Sequence, residues 1–200
     1  MDAYIIPKND EFFNEYAFPN RLKAVSNFSG SAGFSIITKS QNFLFVDGRY
    51  LIQSKNESGK NFKIIEIPYF YPKDILNVNK YKRVGYDPKL FTSSTLKNYF
   101  GYKYNLIPIK QNFVDLIYKE KSKKPYPFYK LEDWIVGESV SSKIDRLFKI
   151  LKKKKSDNIF ISSPENVAWL LNIRGMDNPH SPIPNARLLI DKKKKYIFFQ

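Results

Sequence analysis

The same order of local structural signals occurs twice along the chain. Each occurrence starts with a short run rich in β-branched and aromatic residues, continues through a helical segment and a loop containing glycine, and ends in two strand-like runs that form a hairpin. The predicted strands are Ala3–Pro7, Phe34–Thr38 and Phe43–Val46 in the first occurrence, and Asn158–Ser162, Ala186–Ile190 and Tyr196–Phe199 in the second. Such self-similarity predicts two copies of one domain.

Helical and strand-like segments alternate through the rest of the chain, with short connections between them. Further strands are predicted at Phe62–Ile67, Arg83–Tyr86 and Asn105–Ile109. Helices are predicted from Asp10, from Ser141 or Ser142 to Lys154, and at Arg21–Val25, Pro72–Val78, Ser93–Phe100, Val114–Tyr118 and Glu165–Leu171. This alternation predicts the α/β class, as a mixed β-sheet flanked by helices.

A change of composition separates the two copies. Residues 119–128 combine a polar, lysine-rich stretch with Pro125 and Pro127, which is typical of a linker. We therefore expect a first domain at residues 1–120, a linker at 121–128 and a second domain at 129–200. Only the second copy has a leading helix, and only the first continues beyond its hairpin. The chain is thus expected to hold one nearly complete copy and one truncated copy.

The strong positive charge raises nucleic acid and anionic membranes as partners. The formal net charge is +15, yet only six of the 34 basic residues are arginine, the side chain whose planar fork grips phosphate and guanine. The lysine runs 152–155 and 192–195 fall at a predicted helix end and a predicted hairpin turn, where solvated cations are ordinary. We expect neither nucleic acid nor a membrane as a partner. Because the sequence shows no cysteine, no signal peptide and no spanning apolar run, we expect a cytoplasmic chain.

The sequence supplies few residues for metal or nucleophilic chemistry. It has a single histidine, His180, and no cysteine, so neither a two-histidine zinc site nor a Cys–His pair can be built. The 19 acidic residues show no tight, repeated spacing of the kind that hard-metal loops use. We therefore expect no catalytic residue, no metal ligand and no bound cofactor within these 200 residues.

Three polar or glycine-rich segments are candidate sites. The loop 27–33 (NFSGSAG) either brings backbone close to a ligand or makes a tight connection into the next strand, and the lack of a phosphate-loop pattern favours the connection. Arg49 either holds a substrate carboxylate or pairs with Asp47 at the surface. Three more polar residues lie in a proline-rich loop, a kind of loop that often carries binding sites: Arg174, Asp177 and His180. A lone histidine, however, is more often structural.

Several long motifs carry a family likeness. Residues 1–53 contain DAYIIPKNDEFFNEY, NFSGSAGFSIIT and LFVDGRYLIQ, and residues 166–182 read NVAWLLNIRGMDNPHSP. In this order they resemble the first and second domains of three-domain aminopeptidase P, also called Xaa-Pro aminopeptidase. The resemblance extends over nearly the whole chain.

The resemblance implies a creatinase/prolidase amino-terminal fold, present twice, and a third, catalytic domain outside this chain. In the family that domain binds two divalent ions, commonly manganese, and a metal-bridged hydroxide cleaves the bond between the first residue and a following proline. The amino-terminal domains shape the entrance for the peptide substrate and help to form a homodimer. The positions that match the family's polar motifs, and are therefore candidates for substrate binding, are Glu15, Arg21, Asp47, Arg49, Arg174, Asp177 and His180.

The sequence departs from the family in several respects. Asn27 stands where the family usually has glycine, and Met176 where it usually has serine. Because the leading helix and the catalytic domain are missing, we expect the chain alone to be an inactive, non-catalytic region of the parent aminopeptidase. Two alternatives remain open: a stand-alone peptide-binding or dimerisation module, as in a pseudo-enzyme, and a basic nucleic-acid-binding protein.

Overall fold

The computed structural model describes residues 1–199 except 17, 78, 120–125, 179 and 192–194. The chain divides into two compact units, Met1–Lys121 and Ser122–Gln200. Most of the predicted linker, 121–128, and most of the lysine run 192–195 lie outside the described residues. In the described part of the chain, no helix has the length and apolar character required to cross a bilayer.

A six-stranded mixed sheet forms the centre of the first unit. The strands lie in the order β4-β3-β2-β1-β5-β6. Strand β2 is antiparallel to both β1 and β3, which confirms the predicted hairpin, whereas the other neighbours are parallel. The strands are β1 (Ala3–Pro7), β2 (Phe34–Thr38), β3 (Asn42–Asp47), β4 (Phe62–Ile67), β5 (Arg83–Tyr86) and β6 (Asn105–Pro108).

Helices cover both faces of this sheet. They are α1 (Arg21–Ser26), α2 (Leu51–Ser58), which follows a 3₁₀ turn (Gly48–Tyr50), α3 (Pro72–Ile75), α4 (Ser93–Phe100) and α5 (Phe113–Ile117). On one face, Ile5 and Phe43 share a buried cluster with Phe100 of α4. On the other face, Leu44 packs in a cluster with Leu22 of α1. The predicted mixed sheet flanked by helices is confirmed.

The second unit contains a smaller, three-stranded sheet. Its elements are β7 (Tyr129–Lys130), α6 (Asp133–Val136), α7 (Val140–Lys153), β8 (Asn158–Ile161), α8 (Pro164–Leu171), β9 (Ile173–Arg174), β10 (Ala186–Asp191) and β11 (Lys195–Phe199). The sheet has the order β11-β10-β8, with both pairings antiparallel, and β7 pairs with β9. One face of the sheet packs on α7 and α8 through a cluster that includes Ile144, Val167 and Leu188.

The two units repeat one topology. In each, a strand, a helix and a loop lead into an antiparallel hairpin, and the first hairpin strand pairs with the leading strand. Helices α1 and α8 each end at an asparagine in the left-handed conformation, Asn27 with a φ of 62° and Asn172 with a φ of 53°. After glycine, asparagine is among the residues that adopt this conformation most readily, which accounts for an asparagine at both cap positions. The predicted repeat is confirmed.

The predicted helix from Asp10 is wrong. The Oδ1 atom of Asp10 accepts hydrogen bonds from the backbone N–H groups of Phe12 (2.8 Å) and Asn14 (3.0 Å), and Phe13 has a φ of 60°. An aspartate that binds nearby backbone donors in this way stabilises turns in place of a helix. Regular helix begins only at Arg21.

Three other helices differ from the predictions, and one of them, the four-residue α6 (Asp133–Val136), has no predicted counterpart. Helix α7 begins before the predicted caps Ser141 and Ser142, because the side chain of Ser139 accepts a hydrogen bond from the N–H of Ser142 at 3.2 Å. Helix α2 was not predicted at all. Its buried positions include the small polar residues Ser54 and Ser58, so it lacks the apolar periodicity by which amphipathic helices are identified.

Candidate functional site

Asp47 and Arg49 form an ion pair at the end of β3. The Asp47 carboxylate accepts hydrogen bonds from the Arg49 backbone N–H (3.0 Å), Nε (3.0 Å) and Nη2 (2.8 Å). These bonds lower the pKa of Asp47 and raise the pKa of Arg49. The Arg49 side chain is 70% exposed and its guanidinium lies 5.1 Å from the centre of the Tyr50 ring. Asp47 therefore orients Arg49 while most of the arginine side chain remains accessible.

Glu15 lies within electrostatic range of this pair. Its side chain is exposed, and its charge contributes to the raised pKa of Arg49. The same charge is the largest cause of the raised pKa of Tyr16. Asp47 is thus the hydrogen-bonded partner of Arg49, and Glu15 makes only the smallest of the contributions that act on the pKa of Arg49.

The glycine loop 27–33 is a tightly packed connection. A Cβ atom on Gly30 would lie 2.8 Å from Cδ1 of Tyr50, and one on Gly33 would lie 2.7 Å from the carbonyl oxygen of Phe45. Gly33 also has a φ of 146°, which side-chain-bearing residues rarely adopt. The glycines let the loop approach its own neighbours, as expected for a tight connection into β2.

Arg21 is held by a different partner. Its Nε and Nη2 atoms donate to the two carboxylate oxygens of Asp115 at 2.7 and 2.9 Å. Burial, the largest single influence, opposes the charged form of Arg21, but the hydrogen bonds with Asp115 and the negative charges of Asp115, Asp87 and Glu11 together outweigh it and raise the pKa of Arg21. This contact joins the start of α1 to α5, so Arg21 has a packing partner that the spacing of its motif did not indicate.

The loop after β9 is fixed by hydrogen bonds to its own backbone. Oδ2 of Asp177 accepts from the backbone N–H of Asn185 at 2.7 Å, and the N–H of Gly175 donates to the carbonyl oxygen of Pro182 at 3.1 Å. Nη1 of Arg174 donates to the carbonyl oxygen of the preceding residue at 2.8 Å. Arg174 and Asp177 therefore contact the protein's own main chain at both ends of the loop.

His180 lines an open cleft in the second unit. The cleft has a volume of about 590 Å³, which falls in the size range of ligand sites. Tyr126, Tyr129 and Met176, which are 55%, 50% and 62% exposed, give it an aromatic and thioether surface. The described lining residues are Tyr126, Tyr129, Gly175, Met176, Asn178, His180, Ser181 and Pro182.

The sequence reasoning missed the tyrosines of this cleft. Tyr126 falls in the predicted linker, and Tyr129 comes directly after it. The available signal was an aromatic residue between two prolines, Pro125 and Pro127, which is unusual for a purely solvated linker. Their position beside His180 follows in part from the pairing of β7 with β9, which joins residues more than forty positions apart.

The described residues contain no group of side chains that could bind a metal ion. Among them, no group of three or more His, Asp or Glu side chains is placed to hold an ion. The chain has no cysteine to add to such a group. The described residues therefore do not supply a ligand set for the two ions, which the resemblance assigns to a domain outside this chain.

Sequence comparison identifies the family of both halves. Residues 1–116 and residues 119–200 each match a family described as the creatinase/prolidase N-terminal domain. The chain therefore belongs to the creatinase/prolidase N-terminal domain family.

Comparison with individual proteins identifies the type of enzyme to which the chain is similar. The chain is 30% identical to the probable Xaa-Pro aminopeptidase P of Laccaria bicolor, over 99% of this chain and 33% of that protein. It is likewise 30% identical to Xaa-Pro aminopeptidase 1 of Dictyostelium discoideum, over 99% of this chain and 35% of that protein. The chain thus spans about a third of the length of these relatives.

A solved structure gives the same result. The fold matches X-prolyl aminopeptidase from Caenorhabditis elegans, a cytosolic enzyme with a di-nuclear active site, with a TM-score of 0.86 and 28% identity. The match covers 100% of this chain and 35% of that enzyme. The chain corresponds to the N-terminal region of Xaa-Pro aminopeptidases, which confirms the resemblance seen in the sequence.

Proposed function

We propose that this chain is the non-catalytic, peptide-guiding region of a metal-dependent Xaa-Pro aminopeptidase, which removes the first residue from peptides with proline in second position. The observation that carries the proposal is the fold match over the entire chain to the C. elegans enzyme. The two divalent ions, manganese in this proposal, are held by the part of the parent protein that this chain does not span. The same likeness supports a cytosolic location, and a homodimer is proposed with it.

Within the chain, we assign the first peptide contacts to the cleft of the second unit. The rings of Tyr126 and Tyr129 offer flat apolar surfaces suited to a proline ring, and the imidazole of His180 offers a hydrogen-bonding group. Asp177 acts indirectly, because its hydrogen bond with the N–H of Asn185 closes the loop that presents His180, while Arg174 binds the main-chain carbonyl of Ile173 where this loop begins.

The polar group of the first unit supplies a second proposed contact. The exposed guanidinium of Arg49, oriented by Asp47, is suited to a peptide carboxylate, and Glu15 is suited to a cationic group. Arg21 serves this unit by joining α1 to α5, since two of its nitrogen atoms already bind Asp115.

A cleavage assay tests the proposal. Release of the first residue from an Xaa-Pro-Pro peptide is measured, with and without manganese, for this chain and for the polypeptide extended through the coding sequence that follows. We expect no release by the chain alone and manganese-dependent release by the extended polypeptide. Manganese-dependent cleavage by the 200-residue chain, or an inactive extended polypeptide, would overturn it.

A variant of the extended enzyme tests the cleft itself. We expect Tyr129→Ala and His180→Ala to raise KM while kcat changes little, because contacts remote from the reacting bond bind ground state and transition state alike. Trp134→Ala is the matched control, since Trp134 is an aromatic residue of the same unit that is 84% exposed and is absent from the described cleft lining. Equal KM values for all three variants would remove the cleft from the proposal.

A further inference from the structure

A second cleft, in the first unit, lies at the opposite end of β3 from the Arg49–Asp47 ion pair. Strand β3 runs from Asn42, which lines this cleft, to Asp47. The turn between β2 and β3 forms one wall of the cleft, and the connection from α2 to β4 forms the other. We call it the lysine cleft; it is lined by residues 38–42 and 59–63 and has a volume of about 530 Å³, which falls in the size range of small-molecule sites.

Three lysines give the lysine cleft a positive charge that no lining carboxylate offsets. Lys39, Lys60 and Lys63 are exposed, and none of the lining residues is Asp or Glu. Among the ion pairs of the described residues, none includes any of these three ammonium groups. The three cations are thus available to a ligand, in contrast to Arg21 and Arg49, whose charges already have carboxylate partners.

Neutral amides add hydrogen-bond donors around the same space. Gln41, Asn42 and Asn61 line the cleft, and each carries an NH2 group with two donors. The Oδ1 atom of Asn42 accepts a hydrogen bond from the backbone N–H of Thr38 at 3.4 Å, so the amide is oriented with its NH2 group directed elsewhere. The lining therefore combines ammonium and amide donors, which suits a ligand rich in negatively charged oxygen atoms.

Short-range hydrogen bonds hold both walls of the lysine cleft in place. In the turn between β2 and β3, Oγ1 of Thr38 accepts from the backbone N–H groups of Ser40 (3.2 Å) and Gln41 (3.0 Å). In the other wall, the N–H of Asn61 donates to the carbonyl oxygen of Ser58 at 3.0 Å. Because the lysines extend from backbone that is already ordered, a ligand that binds them does not have to order the walls, which lowers the entropy cost of binding.

We propose that the lysine cleft binds a small anion with two or more phosphate groups. Lysine is a common phosphate ligand that acts as a point charge, and lysines on two walls can contact several phosphate oxygens at once. The confined size of the cleft suits a small molecule, whereas a nucleic acid is bound through an extended series of phosphate contacts. This inference goes beyond the proposed function, because the proposed peptide contacts lie at the other end of β3 and in the second unit.

Titration of the isotope-labelled chain with pyrophosphate in metal-free buffer, followed by NMR and by calorimetry, tests the proposal. We expect saturable one-to-one binding, with the largest changes in backbone amide shifts at residues 38–42 and 59–63. A chain with a net charge of +15 attracts any anion weakly over its whole surface. Shift changes spread over the lysine-rich surface, or binding that does not saturate, would therefore overturn the proposal.

Variants that remove single charges test which lysines bind the anion. Lys39→Gln, Lys60→Gln and Lys63→Gln should each weaken pyrophosphate binding about fivefold, which is the effect of losing one charge–charge contact in water. Lys89→Gln is the matched control, because Lys89 is an exposed lysine of the same unit outside the cleft lining and its replacement changes the net charge equally. Equal weakening by Lys89→Gln and by the three cleft variants would contradict a defined site.

Citrate separates phosphate recognition from a general preference for multivalent anions. It carries several negative charges on separate carboxylates, and we expect it to bind more weakly than pyrophosphate because each carboxylate offers fewer oxygen atoms than a phosphate group. Citrate binding as tight as that of pyrophosphate, and weakened by the same three variants, would overturn the assignment to phosphate. Peptide cleavage is measured separately, so failure of this site and failure of the proposed function are distinguishable.

Discussion

The guanidinium of Arg21 and the carboxylate of Asp115 form a bidentate ion pair, although the two residues are 94 positions apart in the sequence. The side chains are only 15% and 39% exposed, so water screens this pair less than an ordinary surface pair. Arg49 and Asp47 also form a bidentate ion pair, but the side chain of Arg49 is 70% exposed. The first unit therefore contains two similar ion pairs that differ mainly in burial.

Replacing Arg21 tests what burial adds to such a pair. We expect Arg21→Met to lower the free energy of unfolding by about 1–2 kcal/mol, because Asp115 would keep a partly buried charge without its hydrogen-bond donors. Arg21→Lys should recover only part of the loss, since an ammonium group cannot form the two parallel bonds. Urea denaturation of both variants measures the effect. Arg49→Met is the control and should change stability little; equal losses for Arg21 and Arg49 would contradict the argument.

Lys143 is a buried cation that joins α7 to the end of α8. Its Nζ donates to the carbonyl oxygen of Trp169 at 2.8 Å and to Oδ1 of Asn172 at 2.6 Å, and lies 4.4 Å from the centre of the Trp169 ring. Burial, as the largest influence, lowers the pKa of Lys143 below the usual lysine value of 10.5.

The lowered pKa of Lys143 predicts a pH dependence of stability at alkaline pH. At a pH between the pKa of Lys143 in the folded protein and its usual pKa of 10.5, Lys143 is protonated more often in the unfolded chain than in the folded one. The contribution of Lys143 to the free energy of unfolding therefore increases as pH rises through that interval. Lys143→Met should remove this increase. The measurement is the difference in the free energy of unfolding between the wild type and the variant at a series of alkaline pH values. Lys149→Met, at an exposed site on the same helix, should retain it. Parallel curves for wild type and Lys143→Met would disprove the prediction.

Substitution of Gly33 and of Gly101 distinguishes the cost of backbone strain from the cost of steric overlap. Both have positive φ values, 146° and 63°, but a Cβ on Gly33 would meet the Phe45 carbonyl oxygen at 2.7 Å, while one on Gly101 would meet nothing within 4 Å. We expect Gly101→Ala to cost about 1–3 kcal/mol through its positive-φ backbone alone, because with a ψ of −142° it adopts a conformation that is found almost only in glycine. Gly33→Ala should cost clearly more, or prevent folding of the first unit. Circular dichroism during chemical denaturation compares the two; equal costs would show that the contact with Phe45 is relieved by a small shift.

The two left-handed asparagines should respond differently to glycine. Asn27 and Asn172 share the cap position of α1 and α8, and glycine suits that backbone better than asparagine. Asn172 also binds Lys143 through Oδ1 and donates through Nδ2 to the carbonyl oxygen of Glu138 at 3.0 Å. We expect Asn27→Gly to leave the unfolding free energy unchanged or slightly higher. Asn172→Gly should lower it by about 1–3 kcal/mol, because buried partners lose their hydrogen bonds. Thermal unfolding of each variant measures the difference, and equal shifts would show that the side chain of Asn172 contributes nothing.

Local sequence patterns predicted most of the regular elements. Runs rich in β-branched and aromatic residues identified β2 and β3. The helix predicted at Ser93–Phe100 is α4, at whose start the side chain of Thr92 accepts a hydrogen bond from the N–H of Thr95 at 3.1 Å. The helix predicted from Ser141 or Ser142 to Lys154 corresponds to α7, which buries Ile144 and Leu151. The failures are local as well: Asp10 binds backbone donors two and four residues ahead, and α2 buries serines in place of large apolar residues.

The sequence by itself determined the order of the elements, their repetition and the family to which the chain belongs, because these depend on short-range propensities and on motifs that can be read directly. Only the tertiary structure decided which polar residues meet. The pairing of Arg21 with Asp115, the burial of Lys143 and the position of Tyr129 beside the His180 loop each depend on contacts between distant segments. Such contacts are set by how whole helices and strands pack, and no local propensity specifies the partner that packing brings into reach.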